Sequence, residues 1–567
     1  MKRFVLFLFA ATLMLVSESV FAQKKPFNVV EATIPQMRAA LQSGRVTSRQ
    51  LVTQYLIRIA EYEDVLHAAI AVNPHALEDA DELDRERAAG KIRGPLHGIP
   101  VALKDNIHTT DMPTTGGALA FRGYTPPYEA TLTKNLRAAG AIIIAKTTMI
   151  ELANWVAGAP TPMPAYNAVA RFGFNPYDPR PDPRESSDGR AVLSPGGSSS
   201  GAGTAASLWA ANVGTDTGGS IISPSNQAML VGIRPTIGRV SRYGVIPITA
   251  DHDTAGPMAR TVTDAAILLG ALEGASPDPN DQATTRCTPP PDRDYTRFLK
   301  ADALKGARIG IPRTFYYNRP SGGGRGGLNP AQAQSMADAI EVLKQRGAVV
   351  VDPAEIPSFI NPDPKENFTK WPYCSGANQG KGHDEDCSIN FAYGMKRDFN
   401  AWLKSLGPTA PVKSLTELRE WNLKHEKAGA IKYGQSRLDI SDEMDLTTDA
   451  DRNAADVAKD VRLSRTEGLD AVLNQYHLDA ILTPGPNGAD LAARAGYPII
   501  VVPFGMVPNT GGFGRGAQNP FPPGFNPKPS PFGVGFTGAA CSEPKLIGIA
   551  YAFEQATKRR VAPAGFP

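Results

Sequence analysis

The chain is short of net charge, of cysteine and of long apolar runs, and each shortage excludes something. Its 567 residues carry 59 Lys and Arg against 56 Asp and Glu, a formal net charge of +3. A balance this near neutral offers no electrostatic footprint for nucleic acid. Spanning a bilayer takes ~18 or more apolar residues in a row, whereas the N-terminal run from Phe4 to Val16 stops at Ser17-Glu18-Ser19. With Lys2-Arg3 before it and Val20-Phe21-Ala22 after it, the run reads as a secretory signal peptide, residues 1–22, cleaved after Ala22. The expected mature chain, 23–567, is then secreted or periplasmic, with no stable membrane insertion. Only four cysteines are present, Cys287, Cys374, Cys387 and Cys541. An even count in an oxidising compartment permits disulfides. Proximity within a polar, Gly-rich stretch favours the pair Cys374–Cys387, and the apolar flanks of Cys541 suit a buried thiol.

What is present is ordinary globular composition, 42% hydrophobic and 20% charged, with length enough for a large core. Met37, Leu41, Leu51, Leu56 and Ile59 recur at helical spacing, and Thr47-Ser48 suits an N-cap. Ile99–Leu103 and Ala141–Ala145 are short continuous apolar runs, the pattern of strands buried on both faces. A helical stretch, Thr131–Ala139, lies between them. Similar runs at 307–311, 348–351, 480–482 and 499–502 extend the alternation. The reading is one large α/β domain with a mostly covered sheet. The Pro- and Gly-rich stretches 175–195, 320–327 and 510–531 read as surface loops or insertions able to border a cleft.

Two stretches carry the chemistry. Ser194-Pro-Gly-Gly-Ser-Ser-Ser-Gly201 is a Gly/Ser-rich loop entering a small-residue segment from Ala202 to Ala211. Such a loop can cradle an anion, but no Gly-Lys-Ser/Thr and no GxGxxG after a strand accompany it. In Gly214-Thr-Asp-Thr-Gly-Gly-Ser220 a glycine turn presents a serine, with successive amides able to converge on a developing oxyanion. Ser220 is a candidate nucleophile. Serine needs a base, and none of the eight histidines has a recognised hydrolase context. Lys104 ends the apolar strand Pro100-Val-Ala-Leu, where burial can bring an amine towards neutrality. His383-Asp-Glu-Asp-Cys387 lacks a partner at metal-ligand spacing, so neither metal nor cofactor is expected.

Three stretches in this order, Gly94-Pro-Leu-His-Gly-Ile-Pro-Val-Ala-Leu-Lys104-Asp-Asn, Pro195-Gly-Gly-Ser198-Ser-Ser-Gly and Gly214-Thr-Asp-Thr-Gly-Gly-Ser220, resemble the amidase signature family. Further blocks such as Gly232-Ile-Arg-Pro-Thr-Ile-Gly and Asp253-Thr-Ala-Gly-Pro-Met-Ala-Arg extend the likeness over roughly residues 30–562. The resemblance implies the amidase signature fold, a single domain with a mixed central sheet flanked by helices. It also implies a Ser–cis-Ser–Lys apparatus acting on a small-molecule or peptide amide. By position, Ser220 is the nucleophile, Ser198 the bridging serine after a cis peptide, and Lys104 the base. The amides of Thr217, Gly218, Gly219 and Ser220 form the oxyanion hole, with Asp216 and Ser199 behind them. The Ser198–Ser220 spacing is shorter than the family usually shows, which leaves Ser199 and Ser200 open as bridging serines, although Gly196-Gly197 anchors the assignment on Ser198. The insertion from Arg180 to Leu193 departs from the family at the rim. Trp421-Asn-Leu-Lys-His425 and Tyr433-Gly-Gln435 are similar to the stand-alone peptide amidases. The competing expectations are an aminoacyl-tRNA transamidase subunit, which the leader opposes, and a catalytically dead secreted binding protein on the same scaffold.

Overall fold

In the computed structural model, residues 26–158, 164–184, 187–197, 201–319, 326–375, 385–511 and 521–567 are described. The expected leader, 1–22, and Ser198, Ser199 and Ser200 lie outside the described residues. In chain order the strands are β1 (Ala69–Val72), β2 (Ile99–Lys104), β3 (Ala141–Thr147), β4 (Tyr166–Asn167), β5 (Arg171–Phe172), β6 (Ala211–Asp216) and β7 (Val231–Arg234). They continue with β8 (Thr254–Ala259), β9 (Arg308–Gly310), β10 (Val349–Val351), β11 (Ala480–Pro484), β12 (Ile499–Val507) and β13 (Ser530–Thr537). All but the small β4–β5 hairpin join one sheet, in the order β1-β3-β2-β6-β8-β7-β12-β13-β11-β9-β10.

The sheet is mixed because its connections are. β2 runs parallel to β3 and β6, as β9 does to β10 and β11, while β8, β7, β12 and β13 alternate in direction. Every residue of β2, β3 and β6 is buried, and burial on both faces is why β2 and β3 read as nearly unbroken apolar runs. Helices cover them. Ser48–Leu66 starts on a capping box between Thr47 and Gln50 and buries Leu51, Val52, Tyr55 and Ile59. Val262–Leu272 is buried on nearly all sides and starts on Thr261. The result is a single α/β domain with a mixed central sheet flanked by helices, the architecture that the resemblance implies. Among the described residues no helix is long and apolar enough to cross a membrane.

Both disulfides are formed. Cys374 pairs with Cys387, Cα atoms 5.1 Å apart, and Cys287 pairs with Cys541, 5.6 Å apart. Cys541 is therefore not a buried thiol. Its apolar flanks belong to β13 and to the helix Glu543–Thr557, and the cysteine itself lies on the connection between them. The stretch 510–531 is also not all loop, since β13 begins at Ser530. Tying residues 254 positions apart restricts the unfolded chain more than the 13-residue closure does. Each is worth about 3–5 kcal/mol in a chain-entropy account. Reduction is expected to lower the melting temperature in a dithiothreitol titration, and an unchanged melt with the thiols titrating freely in native protein would count against both pairings.

Candidate active site

Parallel neighbours end at the same edge of a sheet, and β2 and β6 pair in register, Val101 to Ala211 and Leu103 to Val213. Their C-terminal residues, Lys104 and Thr215-Asp216, therefore meet. β8 runs the other way, with Asp216 opposite Thr254, which sets Asp253 beside Thr217 at that edge. β7, antiparallel to β8, brings Arg234 there too. Four strands thus deliver Lys104, the turn 217–220, Asp253 and Arg234 to one place.

Lys104 is fully buried. Its Nζ donates to Thr215 Oγ1 at 2.6 Å and to the Thr215 carbonyl at 3.3 Å, and Asn106 Nδ2 reaches the same hydroxyl at 3.0 Å. Burial penalises the ammonium and carries the pKa from 10.5 down to about 7, while the nearby carboxylates of Asp216 and Asp253 hold it up. Asp253 itself is pushed up by burial to about 6. It accepts from Thr217 Oγ1 at 2.5 Å and from the amides of Ile248 and Thr249 at 2.8 and 3.1 Å.

Asp216 organises the serine turn. Its Oδ1 accepts the Gly219 amide at 2.7 Å and its Oδ2 the Ile221 amide at 2.7 Å, so one carboxylate holds both sides of Ser220. Arg234 Nη1 reaches Oδ1 at 2.9 Å and the Asp216 carbonyl at 2.7 Å, with both side chains fully buried. Removing one partner of such a pair leaves an uncompensated buried charge, which costs about 3–5 kcal/mol. Arg234→Met is expected to lose stability by that amount in chemical denaturation and most activity with it. A loss under ~1 kcal/mol would show that the pair does not hold the turn.

Ser220 is half-buried, just before the helix Ile222–Gln227. Gly196 and Gly197, which precede Ser198 in the chain, are pressed against this turn. A Cβ on Gly196, which has a φ of +95°, would stand 2.3 Å from Pro224 Cα, and one on Gly197 would stand 3.3 Å from Ser220 Cα. This close approach explains the Gly-Gly pair. Gly218 opens towards Phe391, whose ring tip is 3.9 Å from where its Cβ would be. Phe391 stacks on Tyr373, with centroids 3.9 Å apart, and meets Trp155 edge-on at 5.0 Å.

The structure brings Lys104, Asp216, Thr217, Gly218, Gly219 and Ser220 together. Arg234, Asp253, Thr215 and Asn106 join them without having been singled out in the sequence. Asp253 and Arg234 stand in the family-like blocks, and the signal that could have found them is an ionised residue beside an apolar strand. The buried histidines do other work. Burial lowers His108 to about 3 and His252 well below its usual range, and they bond Trp402 and Asn390. Among the described residues no cluster of His, Cys, Asp and Glu is placed to hold a metal ion.

Comparison with known proteins identifies the family. The amidase family model matches residues 50–546. A protein of Arabidopsis thaliana described as a probable amidase is 34% identical over 95% of this chain and 92% of its own length. One of the chains of the glutamyl-tRNA(Gln) amidotransferase of a Synechococcus strain is 31% identical over 92% of this chain and 96% of its own. The crystal structure of the peptide amidase of Stenotrophomonas maltophilia superposes with a TM-score of 0.77 at 33% identity, covering 95% of this chain and 99% of that one. With matching motifs, fold and sequence over nearly its whole length, the chain belongs to the amidase signature family and is an amide hydrolase.

Proposed function

We propose that the protein is a secreted amidase that opens a carboxylic or peptide amide through an acyl-enzyme on Ser220. The observation that carries this reading is Lys104, a fully buried amine whose pKa falls to about 7 at the strand edge where the Ser220 turn begins. Near neutral pH such a lysine accepts a proton, as a general base must. Neutral Lys104 takes the Ser198 hydroxyl proton as Ser198 takes that of Ser220, and Ser220 Oγ bonds to the carbonyl carbon. The carbonyl oxygen becomes an oxyanion. Because the Gly219 amide is committed to Asp216, the amides of Thr217, Gly218 and Ser220 are the donors left for it. Collapse breaks the C–N bond, and the proton returns through Ser198 to the departing amine. Water then repeats the sequence and frees the acid.

An amine must be protonated to leave, whereas an activated alkoxide leaves with little help. Ser198→Ala is therefore expected to lower kcat/KM for an amide by on the order of tenfold or more beyond its effect on the matched activated ester. Equal losses would remove Ser198 from the proton path, and a selective loss in Ser199→Ala or Ser200→Ala would move the role there. A second reading, a glutamine-hydrolysing transamidase component, is favoured by the near full-length likeness to the Synechococcus amidotransferase chain. Ammonia released from free glutamine by the lone chain, with peptide amides untouched, would select it.

A further inference from the structure

Buried arginines in this protein are matched with care. Arg234 pairs with Asp216, Arg239 with Glu273 and Glu543, and Arg494 with Asp460. Arg260, which has no carboxylate at ion-pairing distance among the described residues, donates to the carbonyls of Ala32, Thr204 and Trp209. Arg437, partly buried on the helix Ser436–Asp442, breaks this pattern by having one acceptor among the described residues where each of these has three or more. Its Nη1 donates to the Asn154 carbonyl, its buried Nε has no partner, and no carboxylate pairs with it among the described residues. Burial alone draws it down to about 10, with no acidic group to counter the loss of water. A guanidinium that has lost much of its water and keeps donors to spare is suited to an anion that arrives with a ligand.

Its surroundings lead to the reacting centre. The Arg437 guanidinium lies 4.9 Å over the Trp155 ring, Trp155 meets Phe391 edge-on at 5.0 Å, and Phe391 abuts Gly218 of the serine turn. Leu152, Ala153 and Asn154, three successive residues other than glycine, hold left-handed backbone with φ of 42°, 56° and 72°. Strain of this kind persists where the surroundings impose it and gathers at ligand sites. Here it aims the Asn154 carbonyl at Arg437. We infer that Arg437 determines specificity by receiving a carboxylate of the substrate, carried on the part that lies along Trp155 and Phe391. This rests on the amidase reading above.

The test is a set of N-acetylated tetrapeptide amides in which each position in turn carries Glu or its neutral isostere Gln. One position is expected at which Glu exceeds Gln by ~10-fold or more in kcat/KM, mainly through KM. R437Q should bring that ratio to about one while leaving the Gln substrate within ~3-fold of wild type, and R437E should turn the preference towards Lys. Arg437 acting only as a brace for the turn 152–154 would instead lower Glu and Gln substrates together. That result, or equal rates for Glu and Gln at every position, overturns the inference. Calorimetric titration of the Ser220→Ala protein with the same peptides reads the Glu preference as binding. Absence of turnover thus sinks the amidase reading while Arg437 is still judged.

Discussion

Ser220→Ala is expected to abolish amide turnover, by roughly 10⁴-fold or more, with the thermal melt unmoved. The two halves of this expectation have separate causes. Activity goes because Oγ is the only atom proposed to bond with the acyl carbon. Stability stays because the turn is shaped by Asp216, whose carboxylate holds the Gly219 and Ile221 amides on either side of the serine. Losing one half-buried hydroxyl opens almost no cavity. Ammonia release and a melt on the same preparation measure both, and wild-type protein should add one fluorophosphonate that the variant does not. A variant keeping a tenth of wild-type activity would hand the nucleophile to another residue, and wild-type protein that takes up no label would favour the binding-protein reading.

The sheet was legible where burial is symmetrical. Ile99–Leu103 and Ala141–Ala145 read as strands because parallel strands covered on both faces need apolar residues at every position. β13 escaped because it runs Ser-Pro-Phe-Gly-Val-Gly-Phe-Thr, in which glycine breaks the pattern. A Cβ on Gly533 would stand 2.6 Å from the Val502 carbonyl, so the neighbouring strand requires the very residue that hides the signal. β6 was obscured differently. The mostly small residues from Ala202 to Ala211 have neither helical nor strand period, and they divide into one helical turn ending at Ala205, a connection, and the start of the strand.

At the site, the sequence displayed what local motifs hold and hid what the sheet assembles. Lys104 and the 214–220 motif each announce themselves within a few residues. Arg234 and Asp253 gain their meaning only when β7 and β8 carry them back to the end of β6, a pairing that no short motif encodes. Arg437 was invisible for the opposite reason, since what marks it is a shortage of acceptors among the described residues, which is a property of packing.

Lys104→Met is expected to remove activity by ~10³-fold or more and yet to reduce a stability penalty, because the lysine is placed against its own solvation. In the folded protein Lys104 gives up its proton near pH 7, whereas an unfolded lysine keeps it to about 10.5. Between those values the unfolded chain binds the extra proton, so stability rises with pH across that window. Below pH 7 the penalty is full, and above 10.5 it is gone. Relative to wild type, the methionine variant should gain most near pH 6, on the order of 1–3 kcal/mol once the lost bond to Thr215 is set against it, and the gain should fade towards pH 10. Denaturation curves at pH 6, 8 and 10 measure this, and a gap that does not change with pH would refute it. The same titration shapes the wild-type rate. Protonation disables the base, so kcat/KM should fall about tenfold per unit below pH 7. Asp253 titrates close by, near 6, and its carboxylate supports the protonated lysine. Asp253→Asn removes that support and should move the acidic limb to lower pH. If the limb disappeared in Asp253→Asn, or if wild type held its full rate at pH 5 while folded, Lys104 would not be the base.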